Sequence, residues 1–245
     1  MGGTLVVNDL IQAGQVRAVI SEQQNIKTAI NAFRLKYNCL PGDCYDAVTF
    51  FGGSSNNIWR GNGDRQIVGT AYNSNGGAAG GQRNEPQQAW RQLGLSGLIE
   101  GEFAGHGQHG YGPSHNVYYD GEYQNAYPTS YGKNAGWTIS HSSSHWTTRW
   151  IEGNFLGLTG HSTNHPWGGA TLLKVEDTHN IDVKIDDGRP GTGSVRSLNN
   201  ETMNGETGRC QDSGHLTVLT PAQQAAASYN LDGTGNSCSV FFLLK

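Results

Sequence analysis

Charge is scarce in this chain, and basic charge never gathers. Charged residues make up 15% of 245 positions and no two Lys or Arg are adjacent, where about a quarter is usual. With 16 Lys and Arg against 20 Asp and Glu, the basic stripe that tracks a phosphate backbone is missing, so no nucleic-acid partner is expected. No stretch reads as a signal peptide or as an apolar membrane span. There is no Gly-x-Ser-x-Gly elbow, and acidic pairs such as Glu100/Glu102 are too generic to mark an acid–base couple. The sequence therefore predicts a protein that is not an enzyme, with no catalytic residue to name.

Other shortages narrow the class further. The four cysteines form no C-x-x-C pair, which a four-Cys zinc site requires. Cys39 and Cys44 bracket Leu-Pro-Gly-Asp, whereas Cys210 and Cys238 flank the C-terminal segment. Four cysteines allow three pairings. The turn at Pro41-Gly42 favours Cys39 with Cys44, which leaves Cys210 with Cys238 and implies an oxidising compartment. Disorder is excluded by six Trp, ten Tyr and seven Phe, which supply large surfaces to bury. Gly, at 36 residues, is about twice as common as average and suits turns more than a helical bundle.

What is present begins with one long helix. From about Thr4 to Tyr37 there is no Pro, and Ile26, Ile30, Phe33 and Tyr37 recur on one helical face. Val16, Val19 and Ile20 continue that face, while Gly14 is a soft point. Leu5, Val6, Val7, Leu10 and Ile11 are apolar without a compensating polar face. That end is expected to continue into something apolar or to pack on a partner. A turn-rich stretch over 41–83 precedes a second helix at Glu85–Leu95, with Asn84 as N-cap and Ala89, Trp90 and Leu93 as its apolar face. Residues 103–167 read as loops and short strands, rich in aromatics, His and Gly. A short helix follows Thr220-Pro221, and 238–244 reads as a strand. The chain divides into a helix over 1–38 and a head over 39–245, with 103–167 as an insertion.

Four segments carry a resemblance. The helix ends in an A-x-x-x-F-x-x-x-Y-x-x-L-P-G-D pattern from Ala29 to Asp43. With Glu85 to Gly101, Ile181 to Val195 and the closing Cys238 to Phe242, it resembles bacterial type IV pilin-like proteins and type II secretion pseudopilins. The resemblance covers about 3–101 and 170–245 and implies an α+β, pilin-like fold: a long N-terminal helix packed on an antiparallel sheet head. It implies a filament subunit, minor or specialised, whose partners are other pilin-like subunits. Leu5, Val6, Leu10, Ile11, Val16 and Ile20 would form its assembly helix. It also implies an inner-membrane anchor before assembly and a head in the periplasm or outside the cell. The family's apolar anchor is not in this sequence, and Gly2-Gly3 looks like a point where it was trimmed.

Two further kinds of site are candidates. Calcium takes hard oxygen ligands in turns, and Asn62, Asp64, Asp186 and Asp187 offer them. Some pseudopilins hold such an ion, yet no D-x-D-x-D-G pattern occurs here and short Asx residues also close turns through their own backbone. The pairs His141/His145 and His161/His165 have helical spacing but stand in Ser- and Pro-rich surroundings, so ordinary loop histidines are expected. Trp137, Trp146, Trp150 and Trp167, among many tyrosines, could form a surface-binding adhesin face. The competing expectation is that they fill the core of an enlarged head, and their burial decides.

Overall fold

A 35-residue helix, α1 (Gly3–Tyr37), carries the fold. It passes Gly14 unbroken and, at 1.5 Å per residue, is about 50 Å long. Val16, Val19, Gln23, Ile26, Ile30 and Phe33 are buried. Their steps of three and four residues keep one stripe of the helix facing inward. Each apolar side chain so buried contributes about 1.5–3 kcal/mol. Arg34 and Lys36 lie in the last turn, where cations suit the helix dipole. Asn38 then takes a left-handed φ of 56° and ends the helix.

The computed structural model describes residues 3–53, 60–68, 85–103, 105, 127–132, 135–141, 151–160, 172–199, 210–212, 220–232 and 236–244. After α1 come α2 (Ala47–Phe51), α3 (Glu85–Leu95), β1 (Tyr127–Pro128), β2 (Ala135–His141) and β3 (Asn154–Gly160). Then follow β4 (Leu173–Lys174), α4 (Val175–Ile185), β5 (Val195–Asn199), α5 (Pro221–Ala226) and β6 (Asn236–Leu244). Helix α3 falls where its periodicity predicts, with Ala89, Trp90 and Leu93 buried. Thr220 caps α5 in a box with Gln223, which satisfies donors that a helix start leaves open.

Among the described residues the strands form one antiparallel sheet in the order β1-β2-β3-β6-β4, with β5 also paired to β6. Register sets its two faces. Trp137 opposes Leu158 and Ile139 opposes Leu156. Leu156 in turn opposes Phe242, and Leu158 opposes Val240. These residues are fully buried together with the α1 stripe, α3 and α4 in one core. Alternation sends the next residues to the other face, where Phe155, Phe241 and Leu243 join Ile151 in a second buried cluster. The class is therefore α+β, a long N-terminal helix on an antiparallel sheet.

Residues 103–167, expected as loops and short strands, supply β1, β2 and β3, which are half of the sheet's strands. Two of these strands, β2 and β3, are seven residues long; the alternation of Trp137 and Ile139 marks β2, while Gly157 and Gly160 obscure that of β3. The disulfides pair as favoured, Cys39 with Cys44 and Cys210 with Cys238. The first pins the end of α1 to the turn after it, and the second ties β6 to the segment that precedes α5.

Candidate functional site

The N-terminal turns of α1 are the first candidate. Val7, Leu10 and Ile11 are 55%, 68% and 56% exposed, although each side chain prefers to leave water. Leu5 and Val6 belong to α1, but their side chains lie outside the described residues. Among the described residues, Gln12 is the first whose side chain bonds to the head. Its Nε2 donates to Asp177 Oδ1 at 2.7 Å. Asp177 Oδ2 also accepts from the Tyr131 hydroxyl, which raises the phenol pKa together with burial, the larger cause.

Two of the six expected assembly residues behave otherwise. Val16 is buried in the core and Ile20 packs against it, because the inward stripe begins at Val16. They tie the helix to its own head. Glu22, one turn on, is a second tie. Its carboxylate accepts from Trp137 Nε1 at 2.8 Å and from Thr129 Oγ1 at 2.7 Å, and Ser130 donates both its N–H and its hydroxyl.

At the opposite end of α1, the Leu-Pro-Gly-Asp turn docks against α3. Gly42 has φ 87°, and a Cβ there would lie 2.2 Å from the Glu85 carbonyl oxygen, so only Gly allows this approach. Its N–H donates to Gln92 Oε1 at 2.7 Å. The next residue, Asp43, is buried and accepts three backbone N–H groups, from Gly63, Asp64 and Arg65. Glu85, also buried, accepts from the N–H groups of Asn62 and Val68. Two carboxylates thus hold the 60–68 loop. Burial raises the pKa of both, that of Glu85 to about 7, with charges on Asp43 and Asp64 adding to the Glu85 effect.

Carboxylate oxygens of Asp43, Asp64 and Glu85 lie within 4.8 Å of one another, as do those of Asp182, Asp186 and Asp187. All four expected calcium residues sit in or beside these groups. Asn62 and Asp64 bond to each other, and Asp64 also accepts the Gln66 N–H. Asp186 accepts the N–H groups of Ser194 and Val195, while Asp187 holds the Arg189 N–H and the Thr192 hydroxyl. Asp182, absent from the sequence expectation, accepts from Tyr229 OH and Gly188 N–H. Burial lifts it to about 7. The donor set is of the type calcium uses, and the geometry already employs every one of these side chains in a hydrogen bond.

Of the four tryptophans of the expected aromatic surface, Trp137 alone lies among the described residues. Trp137 is fully buried against Phe242, and its indole N–H is consumed by Glu22, so it presents nothing to a ligand. It is inward because β2 alternates and Trp137 shares the face of Ile139. Trp146, Trp150 and Trp167 lie outside the described residues, as do His145, His161 and His165. His141 ends β2, and burial lowers its pKa.

Comparison with known proteins identifies no relative, since no family model, curated protein or solved structure matches the chain. Among the described residues, no helix is long and apolar enough to cross a membrane.

Proposed function

We propose that this chain is a structural subunit of a filament of the type IV pilin or pseudopilin kind, assembled through the N-terminal end of α1. The observation that carries this reading is the exposure of Val7, Leu10 and Ile11 on a helix whose later turns are firmly held. A lone apolar turn gains nothing in water. Packed against the same turns of neighbouring copies, it would leave water and extend the core. The long helix on an antiparallel sheet, the disulfide at the helix–head junction and the four motifs in family order support the same reading. The head contributes rigidity: each disulfide typically adds about 2–4 kcal/mol. The role asks for no catalytic group.

The test is cross-linking between copies in the assembling system. A Val7→Cys variant should form a disulfide-linked ladder under mild oxidation. Leu35→Cys serves as the collision control, because Leu35 is 87% exposed at the other end of α1. Equal ladders from both positions, or none from either, would sink the proposal.

A further inference from the structure

We propose that a groove between the last turns of α1 and the 60–68 loop binds an acidic carbohydrate, with Lys27, Arg34 and Arg65 holding its carboxylates. The groove encloses about 600 Å³ and is lined by these three cations, Asn31, Tyr45 and Asp46, among others. Lys27 and Arg34 stand seven residues apart on α1, which separates them by about 10 Å along the axis. Arg65 arrives from the loop. Among the described residues, none of the three side chains forms a hydrogen bond or an ion pair.

Three unpaired cations on one concave surface repel each other, and they focus a field that favours an anion. Two carboxylates also line the groove, but they are not equivalent. Asp43 is 1% exposed, with three N–H groups directed at its oxygens. Asp46 is exposed and is the accessible opposing charge in the lining, while Asp64, exposed beside Arg65, is engaged by Asn62 and the Gln66 N–H.

Arg65 adds a second observation. Its φ of 67° is a left-handed value that costs a non-glycine residue about 1 kcal/mol or more. The backbone is pinned on both sides: its N–H donates to Asp43 Oδ2 at 2.7 Å, and its carbonyl accepts from Asn154 Nδ2 at 2.9 Å. Glycine would satisfy the same turn without strain. An arginine held there by a buried carboxylate is explained by where its guanidinium is delivered.

The lining favours a sugar over a peptide. Asn31 and Asn38 offer amide donors and acceptors matched to hydroxyl groups. Tyr45, 52% exposed, offers a phenol, while the Arg60 guanidinium lies over its ring 4.7 Å from the centroid. A peptide groove instead relies on apolar anchor pockets or an open strand edge; of the groove's apolar residues Ile30 and Ile67 are buried, and Tyr37, Leu40 and Leu244 are partly buried against the core. Uronic-acid oligosaccharides combine the required carboxylates and hydroxyls.

This inference does not depend on filament assembly and is tested on the chain alone. Short galacturonic acid oligomers, neutral galactose oligomers and a glutamate peptide of matched charge are titrated by calorimetry at low and high salt. The uronate should bind, weaken with salt and outcompete the other two. Arg34→Gln combined with Arg65→Gln should weaken it about tenfold or more, the loss expected of two charge-assisted contacts. Asp46→Asn should tighten it. Arg65→Gly should keep or raise thermal stability while weakening binding, a split that a merely structural arginine would not give. Failure of the uronate to bind, equal binding of the glutamate peptide, or indifference to the double substitution overturns the proposal.

Discussion

From Gln12 to Tyr37, helix α1 is tied to the head by a continuous apolar stripe, by Gln12 and Glu22, and by the junction at Asp43 and Glu85. From Gly3 to Ile11, the same helix shows exposed Val7, Leu10 and Ile11, and no described side chain there bonds to the head. Composition does not distinguish the two ends, since both carry Val, Ile and Leu. Partners do. A stripe stepping by three and four residues joins the core from Val16 onward, and among the described residues Val7, Leu10 and Ile11 before that point are more than half exposed. One helix therefore has two surroundings: its later turns stabilise the head, and its first turns leave Val7, Leu10 and Ile11 in contact with solvent.

The largest blow to the anchored end should come from Phe33→Ala. Phe33 is fully buried, with ring centroids 4.6 Å from Tyr37 and 5.9 Å from Phe51. A loss of about 3–5 kcal/mol is expected in urea denaturation. A loss below about 1 kcal/mol would mean that the head holds together without the helix, and the contrast between the two ends would disappear. Next comes Glu22→Ala, which strands Trp137 Nε1 in the core. An unpaired buried donor costs about 1–3 kcal/mol. Glu22→Gln keeps an acceptor and should cost less, and the two variants are separated by the same denaturation curves.

Much of the anchored end was legible in the sequence, and the physical reason is periodicity. Ile26, Ile30, Phe33 and Tyr37 announce a helical face, as Ala89, Trp90 and Leu93 do in α3, because one neighbouring surface is enough to impose it. Strands β2 and β3 were less legible, since their pattern depends on which residues of distant β6 lie opposite. Val16 and Ile20 were placed on the assembly helix because sequence shows an apolar face without showing where the partner surface begins. Asp43 was visible as part of a motif and Glu85 as a helix start. Neither could be recognised as a buried acceptor, because the loop N–H groups they hold lie 17 to 23 residues away in sequence. Asp182 and Asp177 escaped for the same reason.

A third test enters through pH at the junction. Glu85 is raised from 4.5 to about 7, so the folded chain favours its protonated form. The stability this contributes is complete below about pH 4.5 and is lost as pH rises through about 7. Asp182, raised to about 7 from 3.8, adds a contribution of the same sign. Unfolding free energy should be higher at pH 5 than at pH 8, by up to about 2–3 kcal/mol for each group before solvent screening reduces it. Glu85→Gln should flatten part of that slope. A midpoint that climbs from pH 5 to pH 8 would show that the five N–H groups on Asp43 and Glu85 outweigh their burial.

The smallest effect on stability, and the sharpest on the comparison, belongs to Leu10→Gln combined with Ile11→Gln. Both residues are more than half exposed, and Gln is a good helix former, so folding free energy should move by no more than about 0.5 kcal/mol. Assembly should respond differently. If these turns bury against neighbouring copies, the double variant should lose the Val7→Cys cross-linking ladder while its head remains folded, with both disulfides formed. A variant that costs more than about 1 kcal/mol in the isolated chain would show that the first turns already pack on the head. Their exposure would then supply no interface, and the filament reading would lose the observation that carries it.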